Sequence, residues 1–275
     1  MTIDRKIVIA DVGCRWGFAE RFLKSDNDFV IFGFDPDLAE CQRLNARYNS
    51  DYVKAIPVAL AQRSSTRTLY LTKEPACSSL LQPDPALTTN YPALSCATQV
   101  STRSISVTTL DQWADSEGVK HIDFLKIDTQ GTELEILKGG QNILSTIRAI
   151  SLEVEFNPIY LGQPVFAEVD QFLRSKGFVL WKLTNLVHYS KGHANQAPIG
   201  SDITCYDDHR VNHHHIYSGQ LYWADAHYVR QDMIEWTGYS TAPQRYRDEV
   251  LFTALAMPDI AKHLSDRPLE RRNDV

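Results

Sequence analysis

Apolar and polar positions follow a strand–helix rhythm along the first two-thirds of the chain. Ile7 to Val12 is a mostly apolar, β-branched run, as expected of a parallel strand buried on both faces. Ala19, Phe22 and Leu23 follow at helical spacing, and Phe29 to Phe34 is a second apolar run. Asp37 with Glu40 three residues on reads as a capping box, and Leu38, Cys41, Leu44 and Tyr48 give the helix it opens an apolar face. Val53 to Leu60 reads as a third strand, Arg67 to Thr72 as a short extra one, and Ala76 to Thr102 as a Ser/Thr/Pro-rich loop. Thr109 with Gln112 marks another helix start, and Ile122 to Ile127 a strand. Thr132 with Glu135 caps a helix that Gly139-Gly140 ends. Ala149 to Phe156 is a strand, Val165, Val169, Phe172 and Leu173 line a helix, and Phe178 to Leu183 is one more strand. The alternation predicts an α/β fold: a Rossmann-like, doubly wound, mostly parallel sheet with right-handed crossovers.

Beyond Val187 the rhythm breaks. His193 to Gly219 is polar and His-rich and reads as a long loop, and Leu221 to Trp236 and Pro243 to Met257 read as helices. The expected organisation is a core over residues 1–188 with a loop and helical extension over 189–275 packed on it, a single domain overall. The length of 275 residues suits that size. With 43% hydrophobic residues an ordinary packed core forms. The net charge of −6 and the lack of a basic stripe argue against nucleic acid as a partner. Five scattered cysteines without a CxxC read as reduced thiols in a cytoplasm rather than as a disulfide framework or a zinc site. The N-terminus has no signal-peptide core, and no apolar stretch reaches membrane-spanning length. Self-association is left open.

The best-placed motif is Asp11-Val12-Gly13-Cys14-Arg15-Trp16-Gly17, between the first strand and the first helix. In an open α/β sheet a ligand binds there, at the carboxyl ends of the strands. Arg15 stands where the dinucleotide pattern GxGxxG requires glycine, so the loop suits a cofactor without a pyrophosphate. An acid such as Asp11 near the loop then meets a cationic amino group. Asp35 ends the second strand, where an acid accepts hydrogen bonds from ribose hydroxyls. Asp11 and Asp35 each also read as helix caps. Together with Gly13 and Gly17 on consecutive strands they favour a cofactor, and Pro36 and Ala59 join them as candidate contacts.

A longer segment runs Val107-Thr108-Thr109-Leu110-Asp111, then Ile122-Asp123-Phe124-Leu125-Lys126-Ile127-Asp128-Thr129-Gln130-Gly131-Thr132-Glu133-Leu134-Glu135-Ile136-Leu137-Lys138-Gly139-Gly140. It resembles the FkbM family of methyltransferases, as do Glu153 to Tyr160 with Gly162-Gln163-Pro164, and Cys77-Ser78-Ser79-Leu80. The resemblance covers roughly residues 7–185. It implies S-adenosylmethionine as methyl donor and usually a hydroxyl oxygen as acceptor, in a glycan, polysaccharide or nucleotide sugar, or in a polyketide-type metabolite. Gln130 departs from the family's common Glu, keeping hydrogen bonding but losing charge.

Methyl transfer from a sulfonium mainly requires positioning, and a hydroxyl acceptor also benefits from a base. Asp128, ending the fourth main strand, is the first catalytic candidate, beside the methionine part of the cofactor or the acceptor; a helix cap is its other reading. Glu155 is the second candidate base. Glu153 shares its strand face, so the two are equally readable as structural partners. His209, His213 and His215 could supply a base from a lid, with His215 the candidate carried forward. A lone HHH run in a polar loop reads more readily as solvated than as a metal site, and a divalent ion at Asp128 and Glu155 is left open without being indicated. Tyr217, Tyr222, Trp223, Tyr228 and Trp236 suit either sugar stacking or core packing. The leading reading is O-methylation of a sugar hydroxyl. The competitors are a metabolite hydroxyl, a noncatalytic scaffold retaining the fold and, weakest, a nicotinamide-dependent dehydrogenase.

Overall fold

A computed structural model describes residues 6–24, 28–189, 203–207, 210–214, 219–235 and 241–267, with 203–207 and 210–214 as backbone. In chain order the strands are β1 (Ile7–Val12), β2 (Phe29–Phe34), β3 (Val53–Ile56), β4 (Ala59–Leu60), β5 (Ser65–Thr72), β6 (Gln99–Thr108), β7 (Phe124–Ile127), β8 (Ala149–Glu155), β9 (Phe178–Tyr189), β10 (Ile203–Asp207), β11 (Arg210–His214) and β12 (Gln220–Arg230). The helices are α1 (Glu20–Leu23), α2 (Leu38–Tyr48), α3 (Pro85–Asn90), α4 (Leu110–Glu117), α5 (Glu133–Gly139), α6 (Phe166–Ser175), α7 (Gln231–Glu235), α8 (Ala242–Ala254) and α9 (Pro258–Ser265).

The main sheet has seven strands in the order β3-β2-β1-β7-β8-β12-β9. The pairs from β3 to β8 are parallel, and β12 runs antiparallel to both β8 and β9. Every residue of β1 and β2 is buried, because side chains of opposite parity meet helices on opposite faces. Val8, Ala10, Val12 and Leu125 pack with Trp113, Leu137 and Leu173 on one face. Ile7, Ile9 and Phe124 pack with Phe22, Leu44, Leu251 and Phe252 on the other. Asp123, itself buried, anchors that second layer: it accepts from Val8 N at 2.9 Å and pairs with Arg148, which also pairs with the buried Asp248 of α8.

Local signals set most boundaries. Asp37 accepts from the N–H groups of Ala39 and Glu40 and so starts α2, while the Glu40 carboxylate turns to Arg43 instead of completing the box. Leu38, expected on the apolar face of α2, is exposed. Thr109 accepts from Gln112 N at 3.0 Å to start α4, and Gly118 in the left-handed conformation ends it.

Five expectations are corrected. The single strand over Val53–Leu60 is broken at Pro57, which has no N–H for a ladder; β3 stays in the main sheet and β4 joins β5 and β6 in a second sheet, ordered β4-β6-β5. The loop expected over Ala76–Thr102 holds α3 and the start of β6, whose mostly exposed residues carry no apolar stripe. Thr132 makes no side-chain cap on α5. The helix expected over Leu221–Trp236 is β12 followed by the short α7. In β12, Tyr222, Ala224, Ala226 and Tyr228 are buried and alternate with half-buried residues, a period of two read as helical among so many apolar neighbours. The segment beyond residue 188 thus supplies a strand inside the sheet, and β10 and β11 pair within the stretch expected to be loop. The Pro243–Met257 helix is present as α8.

Candidate active site

Strand order reverses at β1, and the carboxyl ends of β1, β2, β7 and β8 open there into a cleft of about 470 Å3, roofed by the second sheet. One wall comes from the loop after β1. Gly13 has φ +85°, and a Cβ on it would collide with the Asp128 carbonyl oxygen, so only glycine lets the β1 and β7 loops meet. Asp128 N donates to Val12 O at 2.9 Å across the same junction. Asp35, buried at the end of β2, accepts from Asp37 N at 2.8 Å. Arg15 lies 3.9 Å from Asp35 and 3.1 Å from Asp37. Burial pushes the Asp35 carboxyl up, and the Asp37 N–H and Arg15 oppose it.

The opposite wall is the Asp128–Glu133 turn and the end of β8. The Glu133 carboxylate folds back to accept from Thr129 N at 2.8 Å, Thr129 Oγ1 at 3.0 Å and Gly131 N at 3.2 Å. This staple replaces the expected Thr132 cap and holds Gln130 and Gly131 at φ +60° and +104°. Gln130 Nε2 lies 3.2 Å from Asp128 Oδ1 and 3.1 Å from Glu153 Oε2. Burial, with Asp128 and Glu155 close by, pushes the Glu153 carboxyl well above the usual range; Glu155 is raised by burial and by Glu133. Lys126 bridges Asp11 at 3.2 Å and Asp128 at 3.7 Å.

Of the residues expected at the site, Gly13, Asp35, Pro36, Ala59 and Asp128 line the cleft. Asp11, Gly17 and Glu155 do not: Asp11 is buried against Lys126, Gly17 gives way to Tyr48 at the base of the loop, and Glu155 is buried farther along β8. His215 lies outside the described residues, as do His209, Tyr217 and Trp236, and the side chain of His213 is not described. Tyr222 and Tyr228 are core residues, and Trp223 donates to the Tyr189 hydroxyl at 3.0 Å. Sequence reasoning did not place Arg15, Ser79, Gln130 and Glu153 on the cleft, although Glu153 was flagged by its shared face with Glu155. Among the described residues, no three His, Cys, Asp or Glu side chains are arranged to hold a metal ion. Nor, among them, is any helix long and apolar enough to cross a membrane.

A parallel sheet with one antiparallel strand inserted next to its last strand, a glycine turn over β1 and an acid ending β2 define a class I, S-adenosylmethionine-dependent methyltransferase. The residues fit that cofactor: the Gly13 turn and Asp35 at the end of β2 line one cleft, whose adjoining surface is apolar. The chain belongs to the FkbM family, for the family model described as "Methyltransferase FkbM domain" matches residues 9–180. It is 30% identical over 200 residues to the 2-O-methyltransferase NoeI of Sinorhizobium fredii, covering 65% of this chain and 80% of that protein. Among solved structures it is similar to M. capricolum TrmK in complex with S-adenosyl-homocysteine, at 8% identity and a TM-score of 0.40, covering 94% of this chain and 88% of that one. Synechocystis magnesium protoporphyrin IX methyltransferase with bound SAM has 10% identity and a TM-score of 0.38, covering 82% and 70%.

Proposed function

We propose that this chain transfers the methyl group of S-adenosylmethionine to a hydroxyl oxygen of a sugar acceptor. The observation that carries the reading is Glu153: a carboxyl on the cleft wall, raised well above its usual range and one amide away from Asp128. A base working near neutrality takes a hydroxyl proton best when its own pKa lies close to the working pH. Glu153 is therefore the proposed base, in place of Glu155, and Asp128 the residue that orients the acceptor.

Polar side chains gather in the one part of the cleft where a sugar hydroxyl would sit. Around Asp128 stand Ser79, Thr129, Gln130 and Thr132, while Val58, Leu60, Leu69 and Leu80 line other parts of the cleft. The apolar part suits the adenine ring, with Pro36 and Ala59; Asp35 suits the ribose hydroxyls; and Gly13 and Asp128 border the methionine part. Asp11 acts on that region through Lys126. The cofactor supplies an already activated methyl group, so the chain's own task is alignment and proton removal. The name of the relative NoeI, a 2-O-methyltransferase, agrees with oxygen as the accepting atom.

The test is transfer of labelled methyl from S-adenosylmethionine to a panel of nucleotide sugars and oligosaccharides, beside a matched panel of polyketide and phenolic hydroxyls. Label on a sugar oxygen is expected. Label confined to the second panel would overturn the acceptor assignment, and label on nitrogen or carbon the O-methyl assignment.

A further inference from the structure

The residue that ties the two carboxyls of the active wall together is neutral. Gln130 holds a left-handed backbone conformation that side chains rarely adopt. The turn fixes it there: Ser79 Oγ donates to the Gln130 carbonyl oxygen at 2.8 Å, and Glu133 accepts from the N–H groups on either side. The amide is then fully used. Nε2 has two hydrogens and lies 3.2 Å from Asp128 Oδ1 and 3.1 Å from Glu153 Oε2, one hydrogen for each. Oε1 lies 3.1 Å from the hydroxyl of Tyr160, which is also 2.7 Å from the Cys77 carbonyl oxygen and shares its hydrogen between the two. This orientation gives Asp128 and Glu153 a donor each and leaves Oε1 to the Tyr160 hydroxyl.

We infer that Gln130 is a positioning residue of this site, holding Asp128 and Glu153 as a bridged pair with two hydrogens that never titrate. The inference rests on the methyl-transfer reading above. A glutamate here would form a bridge only while protonated, and with a single hydrogen. The ionisable groups that face the pair are Lys126 from β7, Asp11 from β1, Glu155 from β8, Asp225 from β12, Glu133 from α5, Tyr189 from β9, Tyr160 after β8, and Cys77 and Cys96 from beyond Tyr160. Lys126 is the cation of this set, and it is already shared between Asp11 and Asp128. A further carboxyl at position 130 would therefore take up a proton at higher pH than an ordinary glutamate.

The test needs no acceptor. S-adenosylmethionine carries a sulfonium charge and S-adenosylhomocysteine does not, so the ratio of their affinities reads the charge of the neighbouring carboxyls. Both are titrated calorimetrically into the wild type, Gln130→Glu and Gln130→Met between about pH 6 and 9. In the wild type the ratio favours the sulfonium more as Glu153 ionises. Gln130→Glu is expected to reach the same ratio about one pH unit higher or more. Gln130→Met is expected to shift the same way by less, since it removes donors without adding an acid. If Gln130→Glu fails to fold, Gln130→Met carries the test alone. Variants that follow the wild-type pH course, or a wild-type ratio that is flat with pH, overturn the inference and leave the cofactor reading standing. Failure of both ligands to bind the wild type overturns the reading of the cleft itself.

Discussion

The two walls of the cleft handle acid in opposite ways. On the β1–β2 wall a single buried carboxylate, Asp35, has a guanidinium and a backbone N–H turned toward it. On the β7–β8 wall Asp128 and Glu153 face each other across one amide, with Glu155 and Glu133 near and Lys126 as the neighbouring cation. Burial raises Asp35 too, but the donors turned toward it oppose that rise, and such a carboxyl suits neutral hydroxyls. Glu153, buried beside other carboxyls, keeps its proton to higher pH, where it can exchange it with a hydroxyl. The contrast teaches that this protein separates recognition from proton handling by strand. Both walls depend on Gly13, where their loops touch.

The largest effect should come from removing that contact. Gly13→Val forces a side chain into the Asp128 carbonyl at a backbone angle that favours glycine, so S-adenosylhomocysteine binding should vanish in a calorimetric titration. Unfolding experiments should show a loss of about 2 kcal/mol or more. Binding that survives would mean the walls need not meet. Next, Glu153→Gln should lower kcat by at least about 100-fold while leaving S-adenosylhomocysteine affinity nearly unchanged. It also has a signature in stability. The folded pKa of Glu153 is raised, so the stability it contributes is present below its unfolded value and lost as pH rises through the folded one. Thermal unfolding should therefore show Glu153→Gln gaining on the wild type as pH increases; a constant difference would count against a buried, proton-holding Glu153. Asp35→Ala should act on the other wall alone, weakening S-adenosylhomocysteine binding by roughly 10- to 100-fold, with kcat at saturation little altered. A kcat loss as large as that of Glu153→Gln would erase the division of labour.

The smallest expected effect lies farther along the sheet. His227 stands between Ser151 Oγ at 3.0 Å and Thr184 Oγ1 at 2.8 Å, and burial first, then Lys182 and Arg21, lower it to about 4. Its folded pKa is depressed, so the stability it contributes is present above the unfolded value near about 6.5 and lost as pH falls toward about 4. Thermal midpoints of His227→Gln and the wild type should differ near neutrality and converge on acidification. A gap that widens in acid would contradict the neutral, hydrogen-bonded imidazole.

Much of this arrangement was legible in the residues. The apolar runs of β1 and β2 are buried on both faces and leave little choice of element, and the glycines and acids at their ends mark the cleft through backbone chemistry that a linear reading detects. What escaped depends on partners distant in the chain. β6 has no apolar stripe because most of its residues are exposed, and β12 hides a period of two among aromatic and alanine neighbours. The Glu133 staple looks like an ordinary helix-start acid until its carboxylate is seen to fold back onto Thr129 and Gly131. The choice between Glu153 and Glu155 rests on which of two residues on one strand face reaches the cleft, and that depends on the turn at Gln130.

The most direct test of the central claim is calorimetric titration of the purified protein with S-adenosylhomocysteine, with NADH as the control. Saturable binding of S-adenosylhomocysteine alone is the result expected from a glycine turn without a pyrophosphate site and an acid that faces ribose. Binding of NADH with none of S-adenosylhomocysteine would contradict it.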